Sequence, residues 1–431
     1  MNTKSTWVLI FFHSAYFNGS HCSEDRTASL DSLPQELADT IVTHLEGDIP
    51  TLISCSLVCR KLSSDIGRSL LFKRRVLYTR YDCDKLLGFP KSVLQHIVVL
   101  RIQSFAIPPY GQNLLNHPSF HQLMASLGPL ELTVDSLSWS QLNDSAQQAL
   151  SAHSFRRLHI RYSTFQSVAD ICLFLRSSHD LETLILPSLE ITETMMPHRP
   201  YQAGPSVSHL TVHTNERRLR LFESIVKTPS CPISVNKLRV LDVHVSHAEE
   251  LGLLQGVLAK TKELQELKVS HLFCISGSAL LPAADLNLTS VESLTVEMSD
   301  YHDLDCPVVY PALFRWWCEV LANTSATHIN KLVIQALVDS IGTRELNTTL
   351  WSQIARALSK PPWKTLSTLT IVIYAQNMRS VRALIQASYI KKIEDVMAAL
   401  TETHSVEVSV TLKYPGPECD SEPEGYSDED S

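Results

Sequence analysis

The chain has 431 residues, 44% of them hydrophobic and 19% charged, which supports a large core and excludes global disorder. The net charge of −8 is concentrated: the last 14 residues hold seven acids and no Lys or Arg, and without them 38 acids face 37 bases. A body this close to neutral lacks the basic footprint of a general nucleic-acid binder. The 13 glycines are too few for a fold built on several phosphate-binding loops.

Residues 1–29 carry no sustained pattern and read as an unstructured leader. An apolar run from Trp7 to Phe12 follows Lys4 and faintly resembles a signal peptide. It is short, His13 interrupts it, and no small-x-small cleavage site follows. The ten cysteines are scattered, none in a C-x-x-C pair, as expected of reduced thiols in the cytoplasm and/or nucleus. Five N-x-[ST] sequons, at Asn18, Asn143, Asn287, Asn323 and Asn347, keep a secreted receptor open as a lesser alternative. No apolar run reaches the roughly 20 residues of a membrane span, so no membrane partner is expected.

Residues 30–79 predict three short helices. From LDSLPQEL onward, Leu37, Ile41 and Leu45 fall at four-residue spacing and form one apolar stripe. Pro34 suits a first helical turn, and Glu36 complements the N-terminal dipole. EGDIP ends this helix, with Asp48 as candidate cap of the next, TLISCSLVCR. Leu62, Ile66 and Leu70 repeat the spacing in a third.

Beyond residue 80 a unit of the form apolar-x-x-Leu-x-apolar recurs. It stands at Ile97/Leu100/Ile102, Leu127/Leu130/Leu132, Phe155/Leu158/Ile160, Leu181/Leu184/Leu186 and Val207/Leu210/Val212. It returns at Leu238/Leu241/Val243, Leu264/Leu267/Val269, Val291/Leu294/Val296, Ile329/Leu332/Ile334 and Leu366/Leu369/Ile371. Central leucines are mostly 26 to 31 residues apart, with gaps of 38 and 37 near the end. Each unit opens with strand alternation. Several intervening segments show helical spacing, such as Leu313, Trp316, Trp317, Val320 and Leu321, or Phe165, Val168, Ile171 and Leu175. A strand and helix repeated at this length form a leucine-rich-repeat pattern. No single unit buries its own apolar side, so stacking predicts a parallel sheet inside and helices outside. Residues 377–402 predict one or two amphipathic helices, HSVEVSVTLKY a closing edge strand, and 414–431 a disordered acidic tail. The expected fold is α/β: a helical segment over 30–79, then a solenoid over 80–413.

LPQEL with Ile41 and Leu45, then LISCSLVCRKL, resembles the F-box, and is similar to fungal F-box proteins in which irregular leucine-rich repeats follow. The resemblance implies a substrate-recognition subunit of an SCF-type cullin–RING ubiquitin ligase. The F-box would dock the adaptor protein, and through it the cullin, while the repeats bind a target protein. Carried over by position, the adaptor-binding residues are Leu33, Pro34, Leu37, Ile41, Leu45, Leu57, Val58, Cys59 and Leu62. Leu62 stands where the family usually has tryptophan, with less contact area. A repeat protein with a degenerate F-box and no role in degradation is the alternative reading.

Nothing in the chain marks an enzyme. G-x-S-x-G, G-x-x-x-x-G-K-[ST] and H-E-x-x-H are absent. Ubiquitin transfer would belong to partner subunits, and no cofactor is expected. His209 and His213 share a strand face but lie about 13 Å apart, and His244 and His247 point to opposite faces, so no metal site is expected. Cys55 and Cys59 at helical spacing lack a second half-site. The residue after each central leucine, and the one two further on, should face the concave side. That column of candidate substrate-binding residues comprises Arg101, Gln103, Glu131, His159, Arg161, His213, Asp242, His244, Lys268, Glu297 and Gln335. Ser421 and Ser427, each three residues before an acid, are candidate phosphosites.

Overall fold

The computed structural model describes residues 33–58, 62, 65–103, 112–192, 204–213, 220–227, 232–245, 248–271, 281–298, 310–324, 328–339, 348–376 and 383–413. The expectations for 1–29, for the acidic tail with Ser421 and Ser427, and for Cys59 lie outside these residues. The chain divides into two compact units, Met1–Lys73 and Arg74–Ser431.

In the first unit three helices follow one another: α1 (Gln35–His44), α2 (Ile49–Val58) and α3 (Asp65–Phe72). Pro34 is the N-cap of α1, and its carbonyl accepts the Leu37 and Ala38 N–H groups. Gly47 turns the chain after α1 with φ +93°, a conformation in which glycine meets no Cβ penalty. Asp48 then caps α2: its carboxylate accepts the Thr51 N–H at 3.2 Å and the Thr51 hydroxyl at 2.8 Å. A small core gathers Ala38, Val42, Leu45, Leu52, Cys55 and Leu62. The buried stripe of α1 is therefore Ala38, Val42 and Leu45, one position round from the expected Leu37, Ile41 and Leu45.

The second unit is α/β, built on one sheet of thirteen parallel strands. These are β1 (Arg74–Leu77), β2 (Val99–Ile102), β3 (Leu130–Ser138), β4 (Phe155–Phe165), β5 (Thr183–Leu186), β6 (Leu189–Ile191), β7 (His209–Val212), β8 (Val240–Val245), β9 (Glu266–His271), β10 (Ser293–Met298), β11 (Lys331–Asp339), β12 (Thr368–Gln376) and β13 (Glu407–Lys413). Strands neighbour one another in chain order, except that β6 pairs with β4 and leaves β5 beside β7. The longer helices between strands are α4 (Arg80–Leu87), α5 (Pro118–Ser126), α6 (Asp144–Ala152), α7 (Val168–Phe174), α8 (Arg220–Lys227), α9 (Ala248–Leu258), α10 (Tyr310–Asn323), α11 (Thr348–Leu358) and α12 (Ala383–His404).

One leucine in each of ten strands sets the register. Leu100, Leu132, Leu158, Leu184, Leu210, Leu241, Leu267, Leu294, Leu332 and Leu369 stand opposite one another across successive strands. Each is at most 1% exposed, so each contributes about 2 kcal/mol of burial. A one-residue slip of any strand would turn its apolar set to the other face.

Three sequence expectations need correction. Arg74–Leu77 pairs with β2, so the sheet begins before residue 79. Arg75 occupies the leucine column there, which hides β1 from a leucine-based pattern. In β3 the column residue is Leu132, which stands opposite Leu100 and Leu158; on the β4 side the register shifts by one residue, Arg156, between the Phe155 and Arg157 pairings. Phe165 closes β4 and does not belong to α7.

Between sheet and helices lies one continuous apolar core. Trp139, Phe155, Phe165 and Phe174 pack at ring-centroid distances of 5.3 to 6.1 Å. Three buried indoles find acceptors: Trp316 Nε1–H donates to the Pro282 carbonyl at 2.8 Å, Trp317 Nε1–H to His271 Nε2 at 2.8 Å, and Trp363 Nε1–H to the Leu321 carbonyl at 3.0 Å. Unpaired, each would cost roughly 1–3 kcal/mol.

Candidate binding surfaces

Parallel strands place odd-offset residues from the leucine column on the opposite face of the sheet. All eleven predicted substrate-binding residues lie on that face and are half-buried. Glu131 is there one row early, because it precedes the column leucine Leu132 and pairs with Val99.

Charge is not spread evenly over this face. At one end Glu131 pairs with Arg157 at 3.7 Å, and Asp135 with Arg161 at 3.7 Å. Asp135 and Arg157 were not among the predicted residues. They become visible once Leu132 is taken as the column residue, since that places Asp135 in the row of Gln103 and Arg161.

Further along, strands β7 to β10 assemble a denser group. His213 directly follows β7, and His244 lies on the adjacent β8. Their rings stack with centroids 3.3 Å apart and planes 5° apart. Asp242 precedes His244 by two residues on the same face. Its Oδ1 lies 3.3 Å from His213 Nε2 and its Oδ2 lies 3.5 Å from Lys268 Nζ. Lys268 also reaches Glu297 Oε2 at 3.8 Å, and that oxygen accepts the Ser270 hydroxyl at 2.9 Å. Spacing within one strand does not reveal this group, because its members meet across strands.

Electrostatics follow from this crowding. Burial, then the neighbouring His213, pushes His244 down to about 3. The Asp242 carboxyl is lowered: burial opposes its charge, but the hydrogen bond from His213 and the Lys268 charge outweigh it. Behind the sheet His271 is fully buried and likewise held at about 3, first by desolvation and then by repulsion from His244. Its Nε2 is the acceptor for Trp317.

That histidine predicts an acid-sensitive fold. The unfolded imidazole takes up its proton near 6.5, whereas the folded one resists until about 3. Stability is therefore complete above about 6.5 and falls as the pH drops from there toward 3, with a slope of up to about 1.4 kcal/mol per pH unit from this group. His271→Gln keeps an acceptor for Trp317 and removes the titration. Denaturant midpoints measured from pH 7 to pH 5 should fall less steeply in the variant. Identical slopes would contradict the assignment.

The first unit presents a different surface. Leu37 is 52% exposed, Ile41 37%, Ile53 47% and Leu57 82%. Leu37 and Ile41 share one face of α1, and Ile53 and Leu57 share one face of α2. Leu33 is half-buried and Pro34 exposed. Leu45 and Leu62, at 6% and 3%, are buried in the unit's own core. Both side chains hold the three helices together, so the adaptor contact expected of each would require drawing it out of that core. The side chain of Val58 lies outside the described residues. Ile53 was not singled out in the sequence, although it sits one turn before Leu57.

No protein-family model matches the chain, and no curated protein matches it. Among the described residues no helix is long and apolar enough to cross a membrane.

Proposed function

We propose that the chain is a substrate-recognition subunit of an SCF-type ubiquitin ligase, with a three-helix F-box docking the adaptor and a leucine-rich-repeat solenoid binding a target protein. The observation that carries this reading is the apolar surface of the small helical unit. A unit with so few core residues has little to gain by exposing Leu37, Ile41, Ile53 and Leu57 to water. A partner that buries them gains about 2 kcal/mol at each well-packed anchor. The sequential parallel strands and their leucine column support the solenoid, whose half-buried polar face would meet the target. In this reading the chain performs no catalysis itself, binds neither nucleic acid nor membrane, and works in the cytoplasm and/or nucleus.

Capture tests it. The full chain, mixed with purified SCF adaptor, should elute as one complex, and Leu33→Ala with Pro34→Ala should weaken it. A chain that never captures the adaptor overturns the reading. The repeat protein without a degradation role keeps its place through Leu62, which stands where the family usually has tryptophan. It predicts a partner whose abundance stays constant when cullin–RING ligases are inhibited. The secreted receptor is disfavoured at Asn143. That side chain accepts the Ala146 N–H at 2.8 Å to cap α6, and its Nδ2 donates to the Asn116 carbonyl at 3.1 Å. A glycan on Nδ2 would replace one of its two N–H groups and crowd that contact.

A further inference from the structure

We propose that His213, Asp242 and His244 form a binding site for a divalent transition-metal ion of the zinc class. One ligand atom from each residue lies within 4.8 Å of the other two. The His213 Nε2 to Asp242 Oδ1 separation of 3.3 Å is long for a hydrogen bond between these groups. It matches the edge of a tetrahedron whose ligands stand about 2.0–2.1 Å from a central ion, roughly 3.3 Å. The second imidazole lies parallel to the first, with centroids 3.3 Å apart, so its ring must turn out of the stack to aim a nitrogen at the same ion; its ligand atom already stands within 4.8 Å of the other two.

Two imidazoles and one carboxylate are borderline donors. They suit Zn²⁺, Co²⁺ or Ni²⁺ better than Ca²⁺ or Mg²⁺, which want more oxygen. Three protein ligands leave a coordination position for water or an incoming donor. All three residues are half-buried on the polar face, so an ion has access from solvent. Lys268 is the competitor. Its ammonium stands 3.5 Å from the other oxygen of Asp242, where a positive charge lowers affinity for a second cation. The Lys268 side chain is 40% exposed and also reaches Glu297, so it can swing aside when an ion enters. The inference is independent of the receptor reading, because it rests on this cluster alone.

The test is titration of the full chain with Zn²⁺ by calorimetry and with Co²⁺ by visible absorbance. Wild type should bind one equivalent with the spectrum of nitrogen and oxygen coordination. His213→Gln with His244→Gln should weaken this at least about 100-fold, since two of three ligands are gone. Asp242→Asn should weaken it, and Lys268→Met should strengthen it several-fold. These two variants decide the matter if the histidine pair fails to fold. Absence of saturable binding in wild type, or binding unchanged by the histidine or aspartate variants, would overturn the site. The second outcome would place the metal on others of the 18 histidines.

Discussion

Trp317→Ala should cost the sheet unit about 4–6 kcal/mol, a large share of the roughly 5–15 kcal/mol by which folded domains are stable. The indole is 2% exposed, so its removal opens a cavity in the core. It packs edge-on to Trp316 at 5.2 Å and to His271 at 5.8 Å. Its Nε1–H is also the donor to His271 Nε2, so truncation strands a fully buried nitrogen as well as opening a cavity. Trp317→Phe separates the two effects. It keeps most of the apolar volume, loses the hydrogen bond, and should cost about 1–3 kcal/mol. Denaturant unfolding followed by circular dichroism measures both. An alanine variant within about 1 kcal/mol of wild type would mean that the indole is not packed as described.

The second large effect concerns binding rather than folding. Leu37→Asp combined with Leu57→Asp should weaken adaptor binding by about 1,000-fold. Two apolar anchors at about 2 kcal/mol each give roughly 4 kcal/mol, and about 1.4 kcal/mol is tenfold. Both side chains are exposed, so stability should change by less than about 0.5 kcal/mol. Leu52→Ala is the contrast. Leu52 is 2% exposed in the same unit, and its truncation should cost about 2–5 kcal/mol of stability. A surface variant that unfolds the helices, or one that binds the adaptor normally, would remove the basis for the docking surface.

Much of the sheet was legible from the leucine spacing, and the reason is geometric. A column residue must recur once per strand, and between flanking strands a parallel sheet buries it. The pattern failed where the column residue is not leucine, as at Arg75 in β1. It also failed in β3, where Leu130 and Leu132 are both buried and only pairing decides which is in register. The helical unit was legible as three helices but not in its facing. Leu37 and Ile41 are larger than Ala38, yet Ala38 and Val42 are the buried pair. On a short helix, size alone does not identify the core side when a partner is absent.

The candidate sites divide in the same way. Residues on the polar face followed from the alternation rule, because alternation is local. The meeting of His213 with His244 and of Asp242 with Lys268 depends on which strands are neighbours. That adjacency was implicit in the repeat, since aligning the units at Leu210, Leu241 and Leu267 sets His213 beside His244 and Asp242 beside Lys268.

Calorimetric titration of purified SCF adaptor into the full chain tests the receptor reading most directly. A single saturable site at one adaptor per chain, lost in Leu37→Asp with Leu57→Asp while the melting temperature holds, is the predicted result. No heat of binding in a chain shown to be folded, or equal binding by that surface variant, would contradict it.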